Sequence, residues 1–352
     1  MPSRYILVTG AGSGIGRAIA EALIADGHHV AAAGRRPDML QDLVPPAGAG
    51  AGGTGPDGDP LCLVEACDVS DRVAVDRLFA SLAARWPRLD AVVHCAGIYG
   101  PIGPFHQTDP DDWLGAITNN LFGFYLVARA AVPLLQGGRL PRILAIAGGG
   151  AFTPLARCSA YGSAKAGIVR LVETAAGELA PLGIAALALA PGFVATEIHR
   201  ETLRAGPEKA GQDYYDFTLA RLKEGAVPMQ LVVDCARFLL GDAAHALTGR
   251  TISASFDPWA EPEFLDALPL LAGAELYRSE RVNLRHLPAA DPLREALTPA
   301  QSRTYVARHA APAPAPEEGG PETGAPEKDS SVEDGMGAAA QQPARKRGGL
   351  HG

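Results

Sequence analysis

The residues best suited to move a proton lie in the segment YGSAK, which runs from Tyr161 to Lys165. The apolar pattern from Tyr161 to Leu179 predicts a helix, on which side chains four positions apart share one face. A phenol ordinarily has a pKa near ~10, and a neighbouring ammonium favours its ionised form. The spacing therefore predicts that Lys165 makes Tyr161 usable as a general acid or base. The alternative is an ordinary pair on a helix surface.

A glycine-rich segment, TGAGSGIG from Thr9 to Gly16, follows the apolar run Arg4 to Val8 and opens a helical pattern. Glycines there let the backbone approach a pyrophosphate closely, and free N–H groups at the start of a helix attract its negative charge. A tight turn that binds no ligand would also use glycines. The placement between a strand and a helix favours a dinucleotide site.

The choice of dinucleotide is set where the second apolar run, His29 to Ala33, ends. An acidic residue there would bond a ribose 2′-hydroxyl. The sequence instead continues with Gly34, Arg35 and Arg36. Gly34 leaves room and the planar guanidinium of Arg35 can hold a 2′-phosphate, so the sequence favours NADP(H) over NAD(H). A solvated surface arginine is the alternative.

Asp68 and Val69 follow the third apolar run. At the end of a strand, Asp68 would lie over the edge of a bound adenine. An Asp at this place can equally cap the helix that begins near Arg72. Both interpretations are open at this point.

Short β-rich runs alternate with helical patterns along the first 256 residues. Seven runs predict strands, at Arg4 to Val8, His29 to Ala33, Leu61 to Ala66, Ala91 to His94, Arg142 to Ala147, Ile184 to Ala190 and Arg250 to Ala254. Helices are predicted at Gly16 to Ala25, Arg72 to Arg85, Asp111 to Leu135, Tyr161 to Leu179 and Leu231 to Leu240. The alternation predicts an α/β fold, a three-layer doubly wound sandwich around a mainly parallel seven-stranded sheet.

Composition excludes several classes of protein. The chain has 352 residues, of which 47% are hydrophobic, so it can bury a large core. Its formal net charge of −8, without a dense basic stripe, disfavours nucleic acid as a partner. No apolar run approaches the ~18 to 20 residues that span a membrane. The five cysteines form no CxxC pair, so we expect a cytoplasmic protein with reduced thiols and without a metal site.

The sequence also predicts how the chain is divided. Residues 1–256 are expected to form the main domain, with a flexible insertion at 45–60 and a substrate lid at 197–229. Residues 257–309 are expected to pack on it as an appendage, followed by a disordered tail at 310–352. The aromatic residues of the predicted lid are Tyr214, Tyr215 and Phe217. They suit an apolar or ring-shaped substrate, or equally serve to pack the lid onto the core.

Five motifs, in order along Arg4 to Ala254, resemble those of the short-chain dehydrogenases/reductases. They are TGAGSGIG from Thr9, Asp68, HCAG from His94, YGSAK from Tyr161, and Pro191-Gly192 with Thr196. The resemblance implies a Rossmann-type fold and hydride transfer between a nicotinamide cofactor and a small-molecule carbonyl or alcohol. It implies cofactor contacts at Thr9, Gly10, Ser13, Gly14, Ile15, Gly16, Arg35, Asp68, Val69, Ala96, Gly97, Tyr161, Lys165, Pro191, Gly192 and Thr196.

The same similarity implies roles for an asparagine and for two long helices. Asn120 resembles the asparagine of the family's proton relay, so the implied catalytic residues are Tyr161, Lys165 and Asn120. Adjacent asparagines in a helix can also simply bond backbone carbonyls. The helices at 111–135 and 161–179 correspond to those that pair between copies, which implies a homodimer or homotetramer. Their small residues can equally pack on the protein's own sheet.

The sequence departs from the family pattern at several positions. The catalytic serine is expected thirteen or fourteen residues before the tyrosine, where this chain has Gly148 and Ala147. Cys95 replaces the second asparagine of the family's NNAG. Loss of one oxyanion donor typically costs roughly 2.7 to 4 kcal/mol, and the nearest hydroxyls in sequence belong to Thr153 and Ser159. A slowed enzyme that uses a substrate hydroxyl, or a cofactor-binding sensor or scaffold, is therefore the alternative, although the retained tyrosine, lysine and asparagine favour an enzyme.

Overall fold

Seven apolar segments form one sheet within residues 3–44, 58–271 and 276–279, which this computed structural model describes. The strands are Tyr5–Thr9 (β1), His29–Gly34 (β2), Cys62–Ala66 (β3), Ala91–His94 (β4), Arg142–Ile146 (β5), Ala185–Ala190 (β6) and Thr251–Ser253 (β7). Their order is β3-β2-β1-β4-β5-β6-β7, and every neighbouring pair is parallel. The strand order reverses at β1, and open parallel sheets bind ligands beside such a point.

Both faces of the sheet are covered. Along β1, Ile6 and Val8 point into one hydrophobic core and Leu7 into the other, and all three are fully buried. Strands that are buried on both faces need continuous apolar runs, which is the pattern that the sequence carries. For this reason the predicted strands agree with the observed ones to within one residue at each end.

Nine helices flank the sheet in the described residues. They are Gly14–Ala25 (α1), Arg72–Arg85 (α2), Pro110–Ile117 (α3), Gly123–Leu135 (α4), Ser159–Leu179 (α5), Glu197–Ala210 (α6), Gln212–Lys223 (α7), Met229–Leu240 (α8) and Pro262–Leu271 (α9). Short 3₁₀ helices occur at Pro37–Leu43, Phe105–Gln107, Ala180–Leu182 and Asp242–Leu247. The core on one face includes α1, α8 and α9, and the core on the other includes α2, α4 and α5. The predicted three-layer doubly wound fold is thus confirmed, with a sheet that is parallel throughout.

The helix predicted over 111–135 is interrupted. A π-helical turn, Thr118–Phe122, separates α3 from α4. Asn120 lies fully buried in this turn, where its Oδ1 accepts a hydrogen bond from Ile98 N at 2.9 Å and its Nδ2 donates one to Ile98 O at 2.8 Å. The amide therefore fixes the loop after β4 to the turn. Such π turns are frequent at functional sites.

The chain after β7 packs against α8. The ring centroids of Trp259 and Phe264 lie 5.8 Å and 6.2 Å from that of Phe238, and Trp259 Nε1 donates a hydrogen bond to the Ala254 carbonyl at 3.0 Å. The described residues all belong to one unit, Met1–Arg281. The remaining parts of the predicted insertion, appendage and tail, residues 45–57, 272–275, 280–309 and 310–352, lie outside the described residues.

The described residues contain neither a candidate membrane-spanning helix nor a candidate metal site. None of their helices is both long and apolar enough to cross a bilayer. No three His, Cys, Asp or Glu side chains among them form a group that could hold a metal ion. The five cysteines are all free thiols.

Candidate active site

The glycine-rich loop joins β1 to α1 where the strand order reverses. A Cβ atom built on Gly10 would lie 2.7 Å from Ala96 N in the loop after β4, and one built on Gly16 would collide with the Gly10 carbonyl. Close backbone packing thus requires glycine at both positions. Ser13, the N-cap of α1, has an extended backbone and makes no side-chain hydrogen bond to the first turn. The N–H groups of that turn suit a negatively charged ligand, so the loop fits a pyrophosphate.

The end of β2 lies beside this loop. Ala11 N donates a hydrogen bond to Ala33 O at 3.1 Å, and a Cβ atom built on Gly34 would be 3.9 Å from Gly12 N. Arg35 follows directly and is exposed at this edge. Residues 34–36 offer two guanidinium groups and no carboxylate, which suits a phosphate better than ribose hydroxyls.

Asp68 forms a local turn after β3. Its Oδ1 accepts hydrogen bonds from Ser70 N at 2.9 Å and from Ser70 Oγ at 2.6 Å. The N-cap of α2 is Asp71, whose carboxylate accepts from Val73 N at 2.8 Å. The interpretation of Asp68 as the helix cap is therefore wrong. Contact of Asp68 and the buried Val69 with an adenine stays a prediction.

Four of the predicted site residues meet near the ends of β4 and β5. Tyr161 and Lys165 of α5 are only 9% and 5% exposed. A Cβ atom built on Gly97 would lie 2.7 Å from Asn120 Oδ1 and 3.8 Å from Lys165 Nζ, so the loop after β4 reaches both groups. Lys165 Nζ donates a hydrogen bond to the Ile146 carbonyl at 2.7 Å. The fold thus brings Tyr161, Lys165, Asn120 and Gly97 together.

Burial controls the ionisation of this group. It raises the pKa of Tyr161 well above the usual phenol value and lowers the pKa of Lys165 to about 8. The Lys165 ammonium lies 5.6 Å from the Tyr161 ring centroid and is held by a backbone carbonyl. The expectation that the pKa of Tyr161 is lowered is therefore wrong for this structure, because loss of solvent around the phenol raises that pKa and the neighbouring Tyr214 and Cys158 raise it further. Tyr161 keeps its proton at neutral pH.

Gly148 occupies one of the two positions where a catalytic serine was expected. A Cβ atom built there would lie 2.6 Å from Tyr161 Oη and 3.5 Å from Lys165 Cε, so the Tyr161 hydroxyl fills the space that a side chain would need. The other position, Ala147, is 1% exposed inside the core. Of the two nearest hydroxyls in sequence, that of Ser159 accepts a hydrogen bond from Trp113 Nε1 at 3.1 Å, and Thr153 is exposed to solvent.

β4 ends at His94, and Cys95 is the next residue. The buried His94 ring shares a hydrogen bond of 3.0 Å between its Nδ1 and Thr9 Oγ1, which joins β4 to β1. Burial lowers the pKa of His94 to about 3 and raises the pKa of the Cys95 thiol to about 12, so both side chains are neutral. The fully buried Thr9 hydroxyl thus holds the glycine loop from within the sheet.

The segment after β6 approaches the glycine loop. Gly192 follows Pro191 with a φ of +74°, a conformation that favours glycine. Thr196 is the N-cap of α6, and its Cγ2 lies 3.4 Å from a Cβ atom built on Gly14. Thr196 is therefore positioned against the first turn of α1, which also carries Ile15.

A pair of tyrosines beside Tyr161 was not predicted from the sequence. Tyr99, two residues after Gly97 and 1% exposed, has its ring centroid 4.7 Å from that of Tyr161. Its hydroxyl shares a short hydrogen bond with the hydroxyl of Tyr214 on α7. The two residues are 115 positions apart, so no spacing rule connects them. The aromatic content of the predicted lid was the one available signal.

Further aromatic rings extend from this pair. His199 of α6 lies edge-on to Tyr99 at 6.2 Å between centroids and stacks on Phe193 at 3.9 Å. Phe217 of α7 meets Phe193 at 5.7 Å. Burial lowers the pKa of His199 to about 4, so its imidazole is neutral. The rings form a continuous apolar wall from the loop after β4 to α7.

A parallel sheet with an uncapped glycine loop at its point of strand reversal defines a nucleotide-binding protein of the Rossmann type. The sequence matches the short chain dehydrogenase family over residues 4–206, which is more than half of the chain. The chain belongs to this family, the short-chain dehydrogenases/reductases, and is an oxidoreductase acting on CH–OH or C=O groups.

Individual relatives agree with this assignment. The (3R)-3-hydroxyacyl-CoA dehydrogenase of Mus musculus is 34% identical over 257 residues, which cover 72% of this chain and 95% of that protein. The NADP-dependent 3-hydroxy acid dehydrogenase YdfG of Salmonella typhi is 30% identical over 214 residues, 60% of this chain and 82% of that one. Among solved structures, a variant of the actinorhodin polyketide ketoreductase with NADPH has a TM-score of 0.60 and 26% identity, covering 71% of this chain and 95% of its own. A short-chain dehydrogenase/reductase from Mycobacterium ulcerans has a TM-score of 0.59 and 29% identity, covering 71% and 87%.

Proposed function

We propose that this chain is an NADP(H)-dependent carbonyl reductase with Tyr161 as its general acid. The observation that carries the proposal is the meeting of Tyr161, Lys165 and Asn120 at the end of β4, beside a glycine loop whose helix is uncapped. One relative named as NADP-dependent and one structure solved with NADPH support the same cofactor. The substrate is a small molecule with a ketone or a secondary alcohol.

The high pKa of Tyr161 suits the reductive direction. A reduced nicotinamide held by the glycine loop would supply a hydride, with its electron pair, to the carbonyl carbon. The carbonyl π electrons move to oxygen, and Tyr161 Oη donates its proton to that oxygen, which gives an alcohol. Because burial keeps the phenol protonated at neutral pH, the proton is in place before the oxygen becomes negative. Oxidation would need the phenolate, which the same burial disfavours.

Lys165 and Asn120, which lie near Tyr161, support this proton transfer. Lys165 is charged below its pKa of about 8, and its ammonium lies 5.6 Å from the centroid of the ring that becomes negative after the proton has left. Its N–H groups also suit the hydroxyls of a cofactor ribose. Asn120 uses both polar atoms of its amide on Ile98. We assign Asn120 to positioning the loop that carries Gly97, rather than to proton transfer through its side chain.

We infer that residues 197–229 act as a substrate lid. α6 is broken at Gly206, whose φ is +78°, and Gly211 separates α6 from α7 with a φ of +84°. These left-handed glycines divide the segment into short rigid pieces. The aromatic wall that the segment carries beside Tyr99 favours a substrate with an apolar or ring-shaped body.

Arg35→Ala should weaken NADPH binding and leave NADH binding nearly unchanged. A charge-assisted contact with a 2′-phosphate contributes about 1.5 to 3 kcal/mol, so the Kd for NADPH should rise roughly ten- to hundredfold. The measurement is titration by energy transfer from protein to nicotinamide fluorescence. Arg36→Ala is the matched control, since it removes an adjacent exposed guanidinium without a proposed contact. Equal or tighter NADH binding by the wild type would overturn the preference.

We also propose a homodimer through the outer face of α4 and α5. A groove of about 600 Å³ lies there, away from Tyr161, with apolar lining from Ala128, Val132 and Leu171. Tyr125 on α4 is 44% exposed and stacks on the equally exposed Phe122. A second copy of the chain seated on this face would bury both rings and the groove.

Tyr125→Arg should shift the protein from dimer to monomer, because it places a charge in the proposed apolar interface. Sedimentation velocity at micromolar concentration measures the shift. Leu270→Lys, which adds a charge at a 79% exposed site on α9, is the control and should stay dimeric. A wild type that sediments as a single monomeric species would rule against the dimer.

A cofactor-binding sensor or scaffold is the second candidate function. The absence of a hydroxyl at Gly148 and Ala147 favours it, since a pure binding protein needs no second oxyanion donor. The two functions differ in turnover. A sensor would bind NADPH, but no carbonyl compound would cause it to oxidise the bound NADPH.

A further inference from the structure

The missing hydroxyl has no replacement in the loop after β5. The Tyr161 hydroxyl already fills the volume beside Gly148, and the hydroxyl of Thr153 in this loop is exposed to solvent. Ser159, the first residue of α5, accepts a hydrogen bond from Trp113 Nε1 and keeps its own proton. Tyr161 would then meet the developing negative oxygen alone. Removing one donor from such a site typically costs about 10²- to 10³-fold in kcat. A second donor would have to come from another element of the fold or from the substrate itself.

Tyr99 is placed to be that donor. Its ring lies 4.7 Å from the Tyr161 ring at a tilt of 46°, and the two share a small core cluster with Cys158, against which Tyr214 packs. Burial first, and then the neighbouring phenols, raise the pKa of both Tyr99 and Tyr161. Tyr99 is therefore a protonated hydroxyl in the same buried cluster as the proposed acid.

The lid orients the Tyr99 hydroxyl. Tyr214 Oη shares a short hydrogen bond with it and also lies next to the buried hydroxyls of Thr202 and Thr218. Those two hydroxyls have no hydrogen-bond partner among the described residues. Either phenol of the pair can donate, and when Tyr214 donates to Tyr99, the Tyr99 proton is free for a third acceptor. Each bond in such a chain polarises the next.

We propose that Tyr99 donates the second hydrogen bond to the substrate oxygen, in place of the absent serine, and that Tyr214 is its positioning residue. The proposal rests on the proposed function, since it needs a carbonyl oxygen beside Tyr161. Tyr99 keeps its proton throughout, and the transferred proton is that of Tyr161. Because the donor is oriented by α7, the site is complete only when the lid is docked.

The test uses the full chain with NADPH and a ketone that the wild type reduces. Tyr99→Phe, which retains the ring, should lower kcat about 100-fold with KM changed less than about threefold. Tyr214→Phe should lower kcat about tenfold, because it misorients the donor without removing it. Tyr277→Phe, which removes the hydroxyl of a ring packed on Phe264 of α9 and outside the site, is the control and should stay within about twofold. The deuterium isotope effect from C4-deuterated NADPH should rise in Tyr99→Phe, because hydride transfer becomes more fully rate-limiting.

Two further readouts separate a donor from a packing residue. Tyr99→Phe should leave the NADPH dissociation constant and the melting temperature nearly unchanged. Loss of turnover together with loss of NADPH binding or a large fall in melting temperature would make Tyr99 structural and overturn the proposal. If Tyr99→Phe has the wild-type kcat and Tyr161→Phe is inactive, the donor role of Tyr99 is overturned. The proposed function would stand in that case. If the wild type binds NADPH but reduces no carbonyl compound, the proposed function and the donor role both fail.

Discussion

Tyr161→Phe is expected to lower ketone-dependent NADPH oxidation by roughly 10²- to 10⁴-fold, the usual contribution of a positioned general acid. The substitution removes one oxygen and retains the ring, which packs 4.7 Å from Tyr99 between centroids. Without the phenol no proton is ready for the oxygen that receives the carbonyl electrons. The NADPH dissociation constant should stay within about twofold, because the glycine loop and the end of β2 are untouched.

Steady-state kinetics and fluorescence titration of the same preparations measure both quantities. Tyr277→Phe, which removes the hydroxyl of a ring that packs 5.9 Å from Phe264 of α9 between centroids, serves as the matched control. Wild-type turnover by Tyr161→Phe on a verified substrate would show that another group donates the proton.

Gly148→Ala is expected to lower kcat by about 100-fold, although it adds only a methyl group. Its Cβ atom would lie 2.6 Å from Tyr161 Oη, well inside contact distance. Tyr161 is packed against Tyr99, so either its hydroxyl or the loop after β5 must move. A displacement of about 1 Å at a reacting group can cost about 10²-fold in rate.

Gly149→Ala is the matched control, because a Cβ atom there has no neighbour within 4 Å. It should keep close to wild-type kcat. Gly148→Ser separates crowding from hydrogen bonding. A serine variant faster than the alanine variant would show that a hydroxyl at 148 restores a donor, and equal rates would show that crowding alone acts. If Gly148→Ala has the wild-type kcat, the position of Tyr161 Oη during catalysis does not depend on the space beside Gly148.

The strands and most helices were predictable because their patterns are local. β4 was predicted with both ends correct, and α2 likewise, since buried apolar runs and helical periodicity report on neighbours along the chain. The π turn at Thr118–Phe122 was not predictable in this way. It depends on Asn120 meeting Ile98, an interaction across 22 positions.

The candidate site was predictable to the extent that motifs fix it. Tyr161 and Lys165 share a helix face, as four-residue spacing requires. The sign of the pKa shift of Tyr161 was not predictable, because it depends on how much solvent the folded chain removes from the phenol. The fit of the Tyr161 hydroxyl against Gly148 and the pairing of Tyr99 with Tyr214 likewise depend on tertiary packing.

Transfer of deuterium from C4-deuterated NADPH to a ketone tests the proposed activity most directly. A panel of aliphatic, cyclic and aromatic ketones is incubated with the wild-type chain, and the product alcohols are analysed by mass spectrometry. We expect one deuterium on the carbinol carbon of at least one product, formed at least about 100-fold more slowly when Tyr161→Phe replaces the wild type. NADPH that binds tightly but transfers deuterium to no ketone would contradict the reductase and favour the sensor.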